Sequence, residues 1–245
     1  MPSSVGSEIA RPGSTAALVH HPNALQPRDL PPMLTVHHLG VSQSERIVWL
    51  CEELAIAYEL KVYARRADNR LAPDDYKALH PLGTAPIITD GDLVLPESAA
   101  IIEYIIGKYG HGRLAVGPDA ANYADYLFWF HYANGGFMPS QMSSMIARIL
   151  GVGDGDPRGV WVNARSEAAW ALLEERLGDT PYLAGPELTA ADIMMVFGLT
   201  TMRAFVPRDL SASPNILAYL QRIAARPAYQ REIAKGDPGM APMLT

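Results

Sequence analysis

An α/β domain followed by an all-α domain is the fold class this chain predicts, on three observations. Short β-type runs alternate with helical patterns between residues 34 and 106, strand patterning stops at Asp119, and a glycine-bearing stretch at 111–118 separates the two regions. The 245 residues suit one large domain or two small ones and are enough to bury a real core. A formal charge of −6 gives no electrostatic reason to expect a nucleic acid or an anionic membrane as partner. No apolar run approaches the roughly 20 residues of a spanning helix. The single cysteine, Cys51, excludes an internal disulfide and any CxxC motif, so a reducing, cytoplasmic setting is the natural reading.

Residues 1–32 are rich in Pro, Ser, Gly and Ala and have no amphipathic period, which predicts a disordered extension. They lack the basic start and apolar core of a secretory leader, and Met33 reads as an alternative translation start. A first strand follows at 34–38, then a loop at 39–44 and a helix at 45–57. In that helix Ile47, Val48, Leu50, Cys51 and Leu54 mark the inner side. Ser42 or Ser44 suits its start, and Glu45 suits the positive end of its dipole. The second strand, 58–63, has Leu60 and Val62 expected inward, and a short helix is expected near 74–79. Ile87-Ile88-Thr89, the turn Asp90-Gly91-Asp92 and Leu93-Val94-Leu95 read as a hairpin. Pro96-Glu97-Ser98 opens a helix with Ile101, Ile102, Ile105 and Ile106 at helical spacing. This β-α-β-α-β-β-α order is that of a thioredoxin-like domain, here 33–110, whose first two strands are parallel through a right-handed crossover.

Beyond the linker, 119–150 reads as one long or broken helix, with Gly135-Gly136 and Pro139 as kink points. A loop at 151–159 leads to a helix at 160–177. Thr189-Ala-Ala-Asp192 resembles a capping box and introduces an apolar helix at 193–205. Helices at 214–225 and 228–233 complete an all-helical domain, 119–235, before a Pro/Gly/Met tail at 236–245.

Pro86 enters its strand without a donor hydrogen, so the peptide before it suits a special, even cis, geometry. Ala85 would then offer its backbone to an extended guest, while Ser98 and the free amides of its helix start suit a carboxylate. A strand-like clamp beside a carboxylate cradle fits a small peptide. Thr84-Ala85-Pro86, Pro96-Glu97-Ser98 and Leu188-Thr-Ala-Ala-Asp-Ile193 together resemble the glutathione S-transferase family over about residues 34–235. The stretch 39–54 looks most like its serine-type bacterial and fungal members.

The resemblance implies attack of the glutathione sulfur on a small apolar electrophile, in the manner of a detoxification enzyme. Glutathione is then a co-substrate, and no metal or organic cofactor is needed. A thiol ionises at roughly 8.5 and reacts as its thiolate, so a hydroxyl after the first strand is expected to stabilise the anion. Ser42 is the first choice and Ser44 the second; many serine-type relatives carry the hydroxyl where this chain has Val41, and a backbone amide or no stabilisation at all stays open. Either serine also serves as an ordinary helix start. Ala85 should pair with the cysteinyl residue from the Thr84-Ala85-Pro86 turn, Glu97 with the γ-glutamyl ammonium and Ser98 with its carboxylate. Tyr123, Tyr126 and Phe130 share a helix face and are expected to line the acceptor pocket, although such a stripe is more often plain core. Phe137, Met138 and Met142 would add an adaptable wall, and Met240 and Met243 a cover. A homodimer is implied as well. The alternatives are a glutathione-dependent isomerase or peroxidase, or a non-catalytic binding protein of the same fold.

Other signals carry little. The EF-hand-like start at 154–159 has Arg158 and Arg165 where acidic ligands are required. His37 and His38 are neighbours on a strand and face opposite ways. His131 is expected to be packed.

Overall fold

The computed structural model describes residues 33–152 and 155–245, so the extension expected at 1–32 and Asp154 lie outside the described residues. Strand β1 (Thr35–Leu39) runs through the middle of a four-stranded sheet of order β2-β1-β3-β4. It pairs in parallel with β2 (Glu59–Tyr63), Val36 opposite Leu60, and antiparallel with β3 (Ile87–Asp90), Val36 opposite Ile88. β3 and β4 (Leu93–Pro96) form the expected hairpin, with Asp90 opposite Leu93 and Gly91 at φ 61° in the turn, a conformation glycine adopts without steric cost.

One face of the sheet is covered by α1 (Glu45–Leu54) and α3 (Ser98–Lys108), whose Ile101, Ile102, Ile105 and Ile106 pack with Val36, Ile88 and Leu50. On the other face Leu39, Tyr63, Tyr76 and Ile87 form a small second cluster, which the short helix α2 (Asp74–Lys77) closes. Tyr63, rather than Val62, is the buried residue at the end of β2. Val62 is 51% exposed, on a strand that forms the sheet edge. Helix α1 stops at Leu54, three residues before its expected end. Ala55 adopts the left-handed conformation and donates to the Glu52 carbonyl, while the Ile56 amide reaches the Cys51 carbonyl. This is a Schellman ending with alanine where glycine is usual.

The helical part begins with α4 (Tyr123–Tyr132), which passes through a π-helical turn (Ala133–Phe137) into α5 (Met138–Ile149). The expected break at Gly135-Gly136 is therefore an extra residue in the helix ladder, not a bend between two helices. Helix α6 (Val160–Asp179) lies beside α5, and α7 (Ala190–Leu199) is buried on every side. Where α7 crosses the π-turn, a Cβ on Gly198 would come within 2.7 Å of the Phe137 ring, so this crossing requires glycine. The apolar helix ends at Leu199 instead of 205 and continues as a 3₁₀ turn (Thr201–Ala204). Helices α8 (Pro214–Ala224) and α9 (Pro227–Gly236) complete the part.

The two parts share one continuous core, and α1 is sandwiched between the sheet, α7 and α9. That position explains why α1 also buries polar residues. Glu53 pairs with Arg226 at 2.6 Å, and Glu52 pairs with Arg231 at 2.7 Å and with Lys235. These contacts fix α9 along α1 and so determine where the chain beyond Gly236 lies.

Candidate functional site

The loop between β1 and α1 is held from both sides by residues far away in sequence. Arg65 donates from Nε to the Gly40 carbonyl at 2.8 Å and from Nη2 to the Val41 carbonyl at 3.0 Å. The Val41 amide donates to both carboxylate oxygens of Asp237, each at 3.2 Å. Val41 sits at φ 54°, a region costly for a β-branched residue, and the clamp over-determines it. Asp237 belongs to the segment expected to be a tail; it is instead the residue that closes this loop. Burial would raise its carboxyl, but the His38 and Val41 hydrogen bonds and Arg65 hold it below the ordinary range.

The clamp presents Ser42 to a cleft of about 490 Å³ between the two parts. The Ser42 hydroxyl donates to the Leu39 carbonyl at 2.7 Å and lies 2.8 Å from the Ser44 hydroxyl; its oxygen also accepts from the Ser44 amide at 3.2 Å. Neither serine caps α1 through its side chain. Ser44 is fully buried, with its oxygen 3.0 Å from His38 Nδ1 and accepting from the Leu39 amide at 3.1 Å. It is not among the residues lining the cleft, so Ser42 is the hydroxyl of this pair that a molecule in the cleft meets.

One wall of the cleft carries Val41, Ser42, Gln43, Arg65, Thr84 and Ala85. The Ala85–Pro86 peptide is cis. The opposite wall is apolar: Met138, Met142 and Met145 from α5, Phe197 from α7, then Met202 and Phe205. The expected stripe on α4 is elsewhere. Tyr126 and Phe130 are buried core residues with stacked rings 5.7 Å apart, and with Tyr123 they line no part of this cleft. Phe137 is likewise buried, edge-on to Trp170. Met240 instead lines a separate small cavity together with Tyr229 and Pro242, and the Met243 carbonyl is held by Arg203. His131 is exposed rather than packed. Arg65, Asp237, Phe197, Met202 and Phe205 were not anticipated. Their only sequence signal is residue type, because the contacts that matter span tens to hundreds of positions.

Glu97 is exposed at the start of α3 with φ 77°, and Ser98 is the first, buried residue of that helix. Arg46 links Ser98 to the cleft: its Nη1 donates to Gln43 at 2.5 Å, to Asn134 at 3.0 Å and to Ser98 at 3.2 Å. Its Nε and Nη2 are buried without a partner among the described residues, and the guanidinium lies 5.3 Å above the Phe197 ring. Burial, partly offset by Glu45, lowers this guanidinium to about 9. Cys51 is fully buried and burial pushes its thiol upward, so it is not a nucleophile. Among the described residues no group of three His, Cys, Asp or Glu side chains could hold a metal ion.

Beneath the loop, Glu45 accepts from Thr201 at 2.6 Å, and Glu232 lies close by. Burial raises both carboxyls, Glu45 to about 7. A raised carboxyl keeps in the folded state a proton that the unfolded chain has released, so stability is lost as pH rises from the ordinary glutamate range through 7. Glu45→Gln is expected to gain stability relative to wild type over that interval, by on the order of 3 kcal/mol at its upper end. Urea unfolding of both proteins across this range tests it; parallel curves would refute the assignment.

A model of the glutathione S-transferase N-terminal domain matches residues 42–106, and one of the C-terminal domain matches residues 163–227. Glutathione S-transferase 3 of Schizosaccharomyces pombe is 33% identical over 211 residues, covering 80% of this chain and 85% of its own. Glutathione S-transferase 1 of Saccharomyces cerevisiae is 29% identical over 223 residues, covering 81% and 93%. The crystal structure of a glutathione S-transferase from Actinobacillus pleuropneumoniae superposes with a TM-score of 0.76 at 32% identity, covering 86% of this chain and 99% of that one.

Proposed function

Because the chain belongs to the glutathione S-transferase family and so takes glutathione as its substrate, we propose that it joins the glutathione sulfur to small apolar electrophiles in the cleft between its two parts. The observation that carries this reading is the two-sided cleft: Ser42, Thr84 and Ala85 on one wall, and Met138, Met142, Met145, Phe197, Met202 and Phe205 on the other. The Ser42 hydroxyl, turned outward from the Leu39 carbonyl, donates to the sulfur. A hydrogen bond to a charged partner is worth about 1.5–3 kcal/mol, enough to lower the thiol by one to two pH units. Ala85, beside cis Pro86, offers its backbone to the cysteinyl residue, with Thr84 next to it. Ser98 and the unbonded amides of the first turn of α3 receive the γ-glutamyl carboxylate, and Glu97 the ammonium. The methionines give the acceptor side an adaptable apolar surface in place of a shaped socket, which suits a range of electrophiles.

In the same proposal the glutathione-binding part spans 33–110 and the helical part 119–235, joined by 111–118. Two copies of the chain associate, for which exposed Leu93 and Val94 on β4 and Leu127 and Phe128 on α4 supply apolar surface. The same proposal puts the reaction in the cytoplasm. The test is to incubate protein and glutathione with a panel of aryl halides, isothiocyanates and epoxides and follow conjugates by mass spectrometry. Conjugation above the uncatalysed rate, reduced by Met142→Lys on the apolar wall, is expected. Glutathione binding by calorimetry with no conjugate from any electrophile would instead make this a binding protein.

A further inference from the structure

Beneath Ser42 the hydrogen bonds continue inward. Ser42 Oγ is 2.8 Å from Ser44 Oγ, Ser44 Oγ is 3.0 Å from His38 Nδ1, and His38 Nε2 is 3.1 Å from the Asp237 carboxylate. His38 is fully buried, and its ring is spanned by these two contacts. His37 is no part of the line; its ring faces the other side of the sheet and bonds Tyr63 and Thr89.

The partners dictate the direction of each bond. A carboxylate only accepts, so Nε2 carries a hydrogen and neutral His38 offers a lone pair at Nδ1. Ser44 then gives its hydrogen to His38, and its oxygen receives the Leu39 amide. With the Ser44 hydrogen committed, Ser42 must turn its own inward, to Ser44 or to the Leu39 carbonyl. An imidazolium at His38 reverses the line. Nδ1–H donates to Ser44, Ser44 donates to Ser42, and the Ser42 hydrogen is free to point into the cleft, the Leu39 carbonyl giving up its bond from the Ser42 hydroxyl.

We propose that His38 receives the proton of the bound glutathione thiol through Ser42 and Ser44, and that Asp237 holds the imidazolium so formed. The inference rests on the reading that Ser42 faces the sulfur. The S–H bond breaks as its proton joins Ser42 Oγ, the Ser42 hydrogen passes to Ser44 Oγ, and the Ser44 hydrogen passes to His38 Nδ1. One neutral thiol and one neutral imidazole become a thiolate and an imidazolium, with no proton lost to water. The same shift leaves Ser42 donating to the thiolate. Asp237, its carboxylate also clamping the Val41 amide, is then a positioning residue for both the loop and the charge. The other titratable groups near His38 are Glu232 on α9, Glu45 at the start of α1 and Arg65 after β2.

The decisive readout is the proton inventory. At about pH 7.5, where free glutathione is mostly thiol, protein and glutathione are mixed in weak buffer with an indicator dye while thiolate absorbance is followed. Wild type should form thiolate with little or no proton appearing in the medium. Ser44→Ala, which cuts the line while keeping Ser42, should release about one proton for each thiolate it still forms, and Asp237→Asn should raise the bound thiol by about one pH unit. A wild type that releases one proton per thiolate overturns the proposal without any variant. The Ser42 reading fails separately: if Ser42→Ala forms thiolate as wild type does, Ser42 does not face the sulfur and the relay falls with it.

Discussion

Ser42→Ala is expected to raise the bound glutathione thiol by one to two pH units and to lower kcat/KM near neutral pH by about 10- to 100-fold, the worth of one hydrogen bond to a charged partner. Glutathione affinity should change much less, because the other contacts proposed for the tripeptide, at Thr84, Ala85, Glu97 and Ser98, are untouched. The variant should fold. Ser42 is a small residue at the cleft edge, and alanine fits the space it leaves. The pH profile separates mechanism from damage. Loss of a thiolate donor shifts the rising limb of kcat/KM to higher pH and restores much of the rate in alkaline solution, whereas a distorted site loses rate at every pH. An unshifted profile would transfer the role to another donor.

How much of this was legible depends on the range of the interactions concerned. The strand and helix order, the Asp90–Leu93 hairpin and the Thr189–Asp192 capping box follow from neighbours within a few residues, and the structure has all three. Ser42 was legible for the same reason: its place depends on β1 ending and α1 beginning beside it. Errors begin where a local rule is overridden at a distance. Ala55 ends α1 without the glycine that signals such an ending, and Val62 is apolar yet exposed on an edge strand. Tyr123, Tyr126 and Phe130 form a good helix face, but a periodic stripe does not say whether it meets another helix or a ligand. Here two of the three are core. Asp237 lay furthest from view, since its partners His38 and Val41 are nearly two hundred positions away and are reached only because α9 is ion-paired along α1.

The largest effect on stability is expected at Asp192. Its carboxylate is fully buried and accepts four hydrogen bonds: from the Thr189 amide at 2.8 Å, the Leu183 amide at 2.9 Å, the Tyr219 hydroxyl at 3.0 Å and the Thr189 hydroxyl at 3.2 Å. One residue therefore closes the start of α7, fixes the turn before it and anchors α8. Burial raises its carboxyl above the ordinary range despite these donors, so the contribution of its protonated form weakens as pH rises. Asp192→Ala would leave two amides and a phenol buried without acceptors, at about 3–5 kcal/mol, a large share of the 5–15 kcal/mol by which domains are stable. The midpoint of thermal unfolding should fall by about 6–20 °C. Asp192→Asn retains one acceptor oxygen and should recover part of the loss, while its stability relative to wild type should grow with pH because it has no buried charge to create. Both follow from calorimetric melts of the three proteins at two pH values. A fall under about 1 kcal/mol in the alanine variant would mean that α7 is held by its apolar contacts alone.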